Sequence, residues 1–135
     1  MPNHFYLSTR KDRSAQAAAL LEALAARGWE RTLDWTDQSN VGPDGYSDTA
    51  LAEIAAVRAA DALVVLLPGG YGTHVEIGAA LALGKPVILY APDRKTLDTP
   101  YPCIFHYHPC VKLLVSENLD VNEVLACMPS LNPSK

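Results

Sequence analysis

Residues 61–91 read DALVVLLPGGYGTHVEIGAALALGKPVILYA, and this stretch decides the fold. Asp61 to Leu67 is an apolar run of strand length, and Pro68, Gly69, Gly70 and Gly72 break it with a glycine-rich turn. Thr73 opens an alanine- and leucine-rich segment of helical length that ends at Gly84, and Pro86 to Ala91 is a second apolar run. Strand, glycine loop, helix and strand make a βαβ unit of a parallel sheet. A glycine loop feeding a helix N-terminus offers free N–H groups and the positive end of the helix dipole to an anion. Glu76 is expected one turn inside that helix, next to the place where an anionic ligand would dock.

The flanking chain repeats the alternation. His4 to Ser8 reads as a strand, with Phe5, Tyr6 and Leu7 in a row, as in buried parallel strands. A helix follows to about Arg27, with Ala17, Leu20, Leu21, Leu24 and Ala25 at helical spacing, Asp12 or Ser14 as cap and Gly28 as stop. Trp29 to Trp35 is an edge-like strand, and residues 36–47, TDQSNVGPDGYS, form an exposed loop. Ser47 or Asp48 is expected to cap a helix from Thr49 to Ala60 that buries Leu51, Ile54 and Val57. After the central unit come a proline-rich loop over 92–102, two short apolar pieces (CIFHY and VKLLV) of which one is the last strand, and a final helix over 118–128.

The sum is one domain over residues 1–135, an α/β doubly wound, flavodoxin- or Rossmann-like sheet of about five parallel strands. Ligands of such sheets bind at the strand carboxyl ends, where the strand order reverses. The turns after the first and third strands should flank that crevice. They carry Ser8, Thr9 and Arg10 on one side and Gly69, Gly70, Gly72 and Thr73 on the other. An arginine can fork onto a phosphate, and glycines allow close backbone approach.

Composition narrows the partners. The net charge is −4 and no stretch gathers Lys and Arg, which argues against nucleic acid or an anionic membrane surface. No apolar run approaches the ~20 residues of a membrane span, and MPNHFYLSTRKDR lacks the apolar core of a signal peptide. Cys103, Cys110 and Cys127 form no disulfide framework, so free thiols and a cytoplasmic location are expected. His106, His108 and Cys110 lie close together, but no second ligand cluster at zinc spacing accompanies them, so no metal and no cofactor is expected. His74 is expected exposed.

FYLSTR (5–10), AADALVVL (59–66) and GTHVEIGAALALGKPVIL (72–89) resemble the nucleoside 2-deoxyribosyltransferase-like superfamily, which includes the 2′-deoxynucleoside 5′-phosphate N-hydrolases. The similarity covers roughly residues 3–91. It implies that Glu76, followed by Ile77 and Gly78, is the nucleophile at C1′ of the sugar, and that Tyr6 lies beside it. It implies that Ser8 and Arg10 hold a 5′-phosphate, and that Glu53, eight residues ahead of Asp61, stands where the family has an aspartate acid. Trp35, at the rim of the crevice, is a candidate for stacking on the base or for filling core. PGGYGTHVE (68–76) also matches the PGGxGTxxE signature of the Lonely Guy-type phosphoribohydrolases. Both families cleave N-glycosidic bonds of nucleotides.

The resemblance therefore implies a nucleoside or nucleotide substrate, and cleavage by hydrolysis or by transfer of the sugar. It also implies a homodimer or larger oligomer with a site shared between subunits. Two other readings stay open. Thr73-His74-Val75-Glu76 also fits a capping box, in which Glu76 would serve the helix and not chemistry. The crevice could equally belong to a non-catalytic nucleotide-binding sensor.

Overall fold

The computed structural model describes residues 3–10, 14–34 and 42–130. Five strands, β1 (Asn3–Ser8), β2 (Trp29–Arg31), β3 (Ala62–Leu66), β4 (Val87–Ala91) and β5 (Val111–Val115), form one sheet in the order β2-β1-β3-β4-β5, every pair parallel. The helices are α1 (Ser14–Ala26), α2 (Tyr46–Ala59), α3 (Tyr71–Ala82) and α4 (Val121–Cys127). The order reverses between β1 and β3, so the crevice expected there opens between the turns that leave these two strands.

The period of two along a strand sends alternate side chains to opposite layers. Phe5 and Leu7 of β1 join Leu20, Leu24 and Val124 in the core under α1 and α4. Tyr6 joins Val57, Leu63, Val65, Ile77 and Leu89 in the core under α2 and α3. Strands β3 and β4 are buried on both faces, which is why their sequences are continuous apolar runs.

Several boundaries differ from the sequence reading. Helix α2 starts at Tyr46, directly after a 3₁₀ turn over Pro43–Gly45, and neither Ser47 nor Asp48 caps it; the cap position is Gly45, with no side-chain bond. Leu51 is 68% exposed, while Ala56 and Val57 carry the buried side. VKLLV is the last strand, and Ile104–Tyr107 is a 3₁₀ turn. Asp120 caps α4, its carboxylate accepting from the Asn122 and Glu123 amides. Gly28, at φ 89°, stops α1 as expected. The Lys85 ammonium donates to the Arg58 and Ala60 carbonyls, tying the carboxyl end of α2 to the chain just before β4. Trp35, Asp12 and residues 36–41 of the long loop lie outside the described residues.

Helix α3 starts at Tyr71, two residues before the expected Thr73, with Gly70 extended at its cap and no side-chain cap bond. Thr73, Glu76, Ile77 and Ala80 form its buried stripe at i, i+3, i+4 and i+7. Helix α2 lies against α3, so a helix of the same chain covers part of its apolar surface. Val75 stays 61% exposed, and Leu51 and Tyr71 are exposed as well.

Candidate active site

Tyr6 and Ser8 share the face of β1 that looks toward α3, and Glu76 in the buried stripe of α3 meets both. The Tyr6 hydroxyl donates to Glu76 Oε2 at 2.5 Å, and the Ser8 hydroxyl donates to Glu76 Oε1 at 2.6 Å. Each carboxylate oxygen is thus held by its own donor, and the plane of the group is fixed. Glu76 is 7% exposed and Tyr6 fully buried. The capping-box reading therefore fails on two counts. The helix begins before Thr73, and the Glu76 carboxylate is engaged by β1.

Glu53 reaches the same hydroxyl from α2, with Oε1 3.1 Å from the Tyr6 oxygen. Tyr6 has one proton for two carboxylates, and the shorter contact assigns it to Glu76. The Glu76 carboxyl is pushed up to about 7: burial raises it most, the bonds from Ser8 and Tyr6 oppose this, and neighbouring Glu53 adds to the rise. Burial also drives the Tyr6 phenol well above its ordinary value, with the two carboxylates adding to the effect, so Tyr6 stays a proton donor at physiological pH.

The carboxylates open onto a crevice of about 260 Å³ lined by Thr9, Arg10, Glu53, Gly70, Thr73 and Glu76, with Gly72. The first amides of α3 have no side-chain cap, and they border this crevice. Arg10 borders the crevice as well. An anion is the natural occupant of this part. A second hollow of about 160 Å³ shares Glu53, Gly72 and Glu76 but is otherwise walled by Ala50, Ile54 and Val75, and it is apolar.

Gly69 is required by close packing: a Cβ there would stand 2.5 Å from Thr73 Oγ1 and 2.6 Å from Thr73 Cβ. Gly70 and Gly72 face open space. Thr73 Oγ1 lies 3.1 Å from the Ser8 hydroxyl oxygen, whose own proton goes to the nearer Glu76. Thr9 donates to the Leu66 carbonyl, joining the two turns that frame the crevice.

Most of the residues singled out in the sequence come together here: Glu76, Tyr6, Glu53, Arg10, Gly70, Gly72 and Thr73, whereas Gly69 borders a separate cavity on the other side of the loop. Ser8 differs from its expected place at a phosphate. It is buried behind Glu76 and holds that carboxylate, a position that the two-residue step from Tyr6 along β1 signals in the sequence. Sequence reasoning missed the apolar wall of Ala50, Ile54 and Val75. It also missed a cluster outside the crevice: His74, Cys103 and His106 lie together, whereas His108 accepts from the Cys110 amide in a local turn. Burial, and then His74, hold the His106 imidazole below its usual value.

The sequence profile of the Nucleoside 2-deoxyribosyltransferase family matches residues 5–124. The chain belongs to this family. It is accordingly an enzyme of the N-glycosidase and deoxyribosyltransferase kind, acting on the N-glycosidic bond of a nucleoside or nucleotide. Among curated protein sequences, none matches the chain.

Solved structures share its fold. The CMP N-glycosidase BcmB of Clostridium botulinum superposes with a TM-score of 0.64 at 24% identity, over 92% of this chain and 95% of that one. A 2-deoxyribosyltransferase of Bacillus psychrosaccharolyticus gives 0.65 at 17% identity, over 90% and 89%. A deoxyribosyltransferase of Leishmania mexicana gives 0.55 at 22%, over 68% and 66%. Among the described residues, no helix is long and apolar enough to cross a membrane.

Proposed function

We propose that this enzyme cleaves the N-glycosidic bond of a nucleoside 5′-monophosphate through a covalent sugar–Glu76 ester. The observation that carries the reading is the doubly anchored, buried Glu76 carboxylate at the mouth of the crevice. As the bond from C1′ to the base breaks, its electron pair leaves with the base, and positive charge builds on C1′ and the ring oxygen. A fixed carboxylate beside that carbon stabilises the charge and then closes on it. Glu53 is the group we assign to proton delivery to the departing base, because it shares Tyr6 with the nucleophile. Water, or a second base, then attacks C1′, and the C1′–Glu76 bond breaks with its electron pair returning to the carboxylate.

Arg10 and the uncapped amides at the start of α3 support binding of a 5′-phosphate. The apolar hollow beside Glu53 supports binding of the base. The exposed Leu51, Tyr71 and Val75 near this hollow support an oligomer in which a second copy covers them.

The test is a panel of nucleosides and their monophosphates, with and without an added free base, followed by chromatography of the released base. Rapid quench and mass spectrometry of the Glu76 peptide then look for a mass increase equal to the sugar phosphate. Release of base with no adduct under any quench condition would remove the covalent step. Binding across the panel with no base release would make the crevice a sensor.

A further inference from the structure

On the other side of the glycine loop, His74, Cys103 and His106 converge. One ring nitrogen of each histidine and the Cys103 sulfur lie within 4.8 Å of one another. They border a cavity of about 290 Å³ that also touches Pro68, Gly69 and Thr96 and shares no residue with the crevice of Glu76. We propose that His74, Cys103 and His106 form a binding site for a borderline or soft transition-metal ion of the zinc class.

Three features of the cluster carry this. The two histidine Nε2 atoms face each other at 3.2 Å. Two nitrogens bound to one tetrahedral zinc at ~2.0–2.1 Å stand about 3.4 Å apart, so the rings need almost no movement to share an ion. The His74 Nδ1 is 2.9 Å from the Gly70 carbonyl, and a donor there leaves the Nε2 lone pair aimed at the cluster. This is the outer hydrogen bond that orients a metal-binding histidine. Lastly, His106 is 5% exposed, yet its Nδ1 meets no partner, while its Nε2 has the His74 ring nitrogen beside it. Cys103 is a free thiol that becomes a thiolate on binding, releasing its proton.

Two imidazoles and one thiolate suit zinc over calcium or magnesium, which take oxygen ligands. Three protein ligands leave a fourth position toward the cavity, for water or a small ligand. The ligands come from the first turns of α3 and from the 3₁₀ turn over Ile104–Tyr107 with the residue before it. An ion would therefore clamp the long loop after β4 onto the helix that carries Glu76, outside the reacting centre.

The experiment uses tag-free protein, stripped by chelator and titrated with Zn²⁺ under native mass spectrometry, and with Co²⁺ under absorbance. One equivalent should bind, and the Co²⁺ form should show a thiolate-to-metal charge-transfer band. Cys103→Ser should abolish the band, and His74→Ala should weaken binding at least tenfold. His108→Ala and Cys110→Ser should leave both unchanged. His74 is exposed, so its variant is expected to fold even where a change at buried His106 does not. Zn²⁺ should raise the melting midpoint of the parent and not of Cys103→Ser. Absence of a stoichiometric site, or binding equally strong in Cys103→Ser and His74→Ala, overturns the proposal. None of these readouts depends on glycosidase activity.

Discussion

Tyr6 and Glu76 stand 70 residues apart in the chain and meet through a hydrogen bond of 2.5 Å inside the core. The bond joins the second layer of the sheet to the helix above it, and it does so with the phenol of a strand residue that has no exposed surface. It also lowers the Glu76 proton affinity against the opposing pull of burial. Tyr6→Phe removes this bond and leaves the ring. The Glu76 carboxyl should then rise above about 7, and the acid limb of kcat/KM should move to higher pH. At pH 7 the loss should be roughly 10- to 100-fold, and it should shrink as pH rises. A pH–rate profile with an unmoved acid limb would sink this coupling.

Glu76 itself should weaken the fold when ionised. Its folded value, about 7, lies above the ordinary carboxylate value of 4.5, so the native state holds the proton more tightly than the unfolded chain. Stability is therefore fullest below about 4.5 and declines as pH climbs toward 7, by an amount on the order of 3 kcal/mol at most. Glu76→Gln keeps the shape and cannot ionise. It should melt higher than the parent at pH 8, show a much smaller gain at pH 5, and lose several orders of magnitude in rate. Equal melting shifts at both pH values, read by calorimetry, would contradict the sign argued here.

Gly69 and Gly70 should respond differently to the same change. Gly69→Ala drives a methyl into Thr73 and, through Thr73, against Ser8, so it should cost roughly 1–3 kcal/mol and about tenfold in kcat. At Gly70 a methyl meets nothing, and the backbone is extended at φ −99°, so Gly70→Ala should fold like the parent and raise KM by entering the crevice. Denaturant melts with steady-state kinetics on both variants separate the two cases; equal stability losses would refute the assignment.

Arg10→Ala should erase most of any preference for nucleoside monophosphates over nucleosides. The parent's preference should itself fall as salt rises. Calorimetry that finds equal parent affinity for both ligand classes would point instead to nucleosides as the substrates.

Light scattering coupled to size exclusion should give at least twice the chain mass of 14.6 kDa. Val75→Glu or Leu51→Glu, on exposed positions of α3 and α2, should shift the protein to the single-chain mass. A parent that runs at that mass at every concentration while remaining active would end the idea of a shared site.

The parallel sheet was legible because β3 and β4, buried on both faces, are written as unbroken apolar runs punctuated by glycine. The meeting of Tyr6, Glu53 and Glu76 is legible through the resemblance, which ties one strand and two helices to a single site. Local signals misled where backbone geometry took over a side chain's task. Extended Gly70 and the turn at Pro43–Gly45 start α3 and α2 without a hydroxyl or carboxylate cap, so Thr73, Ser47 and Asp48 look like starts in the sequence but lie inside the helices. Ser8 reads as ligand-facing from its place beside a turn unless the strand's alternation is carried to its last position, which puts it against the Glu76 carboxylate. The cluster of His74, Cys103 and His106 was hidden because about thirty residues and a strand separate its members. Topology alone brings them together.

The alternation along β1 has a consequence for how errors in folding would be felt. Phe5 and Leu7 fill one layer while Tyr6 and Ser8 serve the other, and β1 pairs with β3 as Tyr6 opposite Leu63 and Ser8 opposite Val65. A slip of one residue would turn two hydroxyls into the oil beneath α1 and present Phe5 and Leu7 to the Glu76 carboxylate. Such a species would look nearly native in helix content and overall size, yet turnover would be gone. Specific activity in this protein is thus a ruler for strand alignment, sensitive to a displacement of a few ångströms that circular dichroism or scattering would pass over.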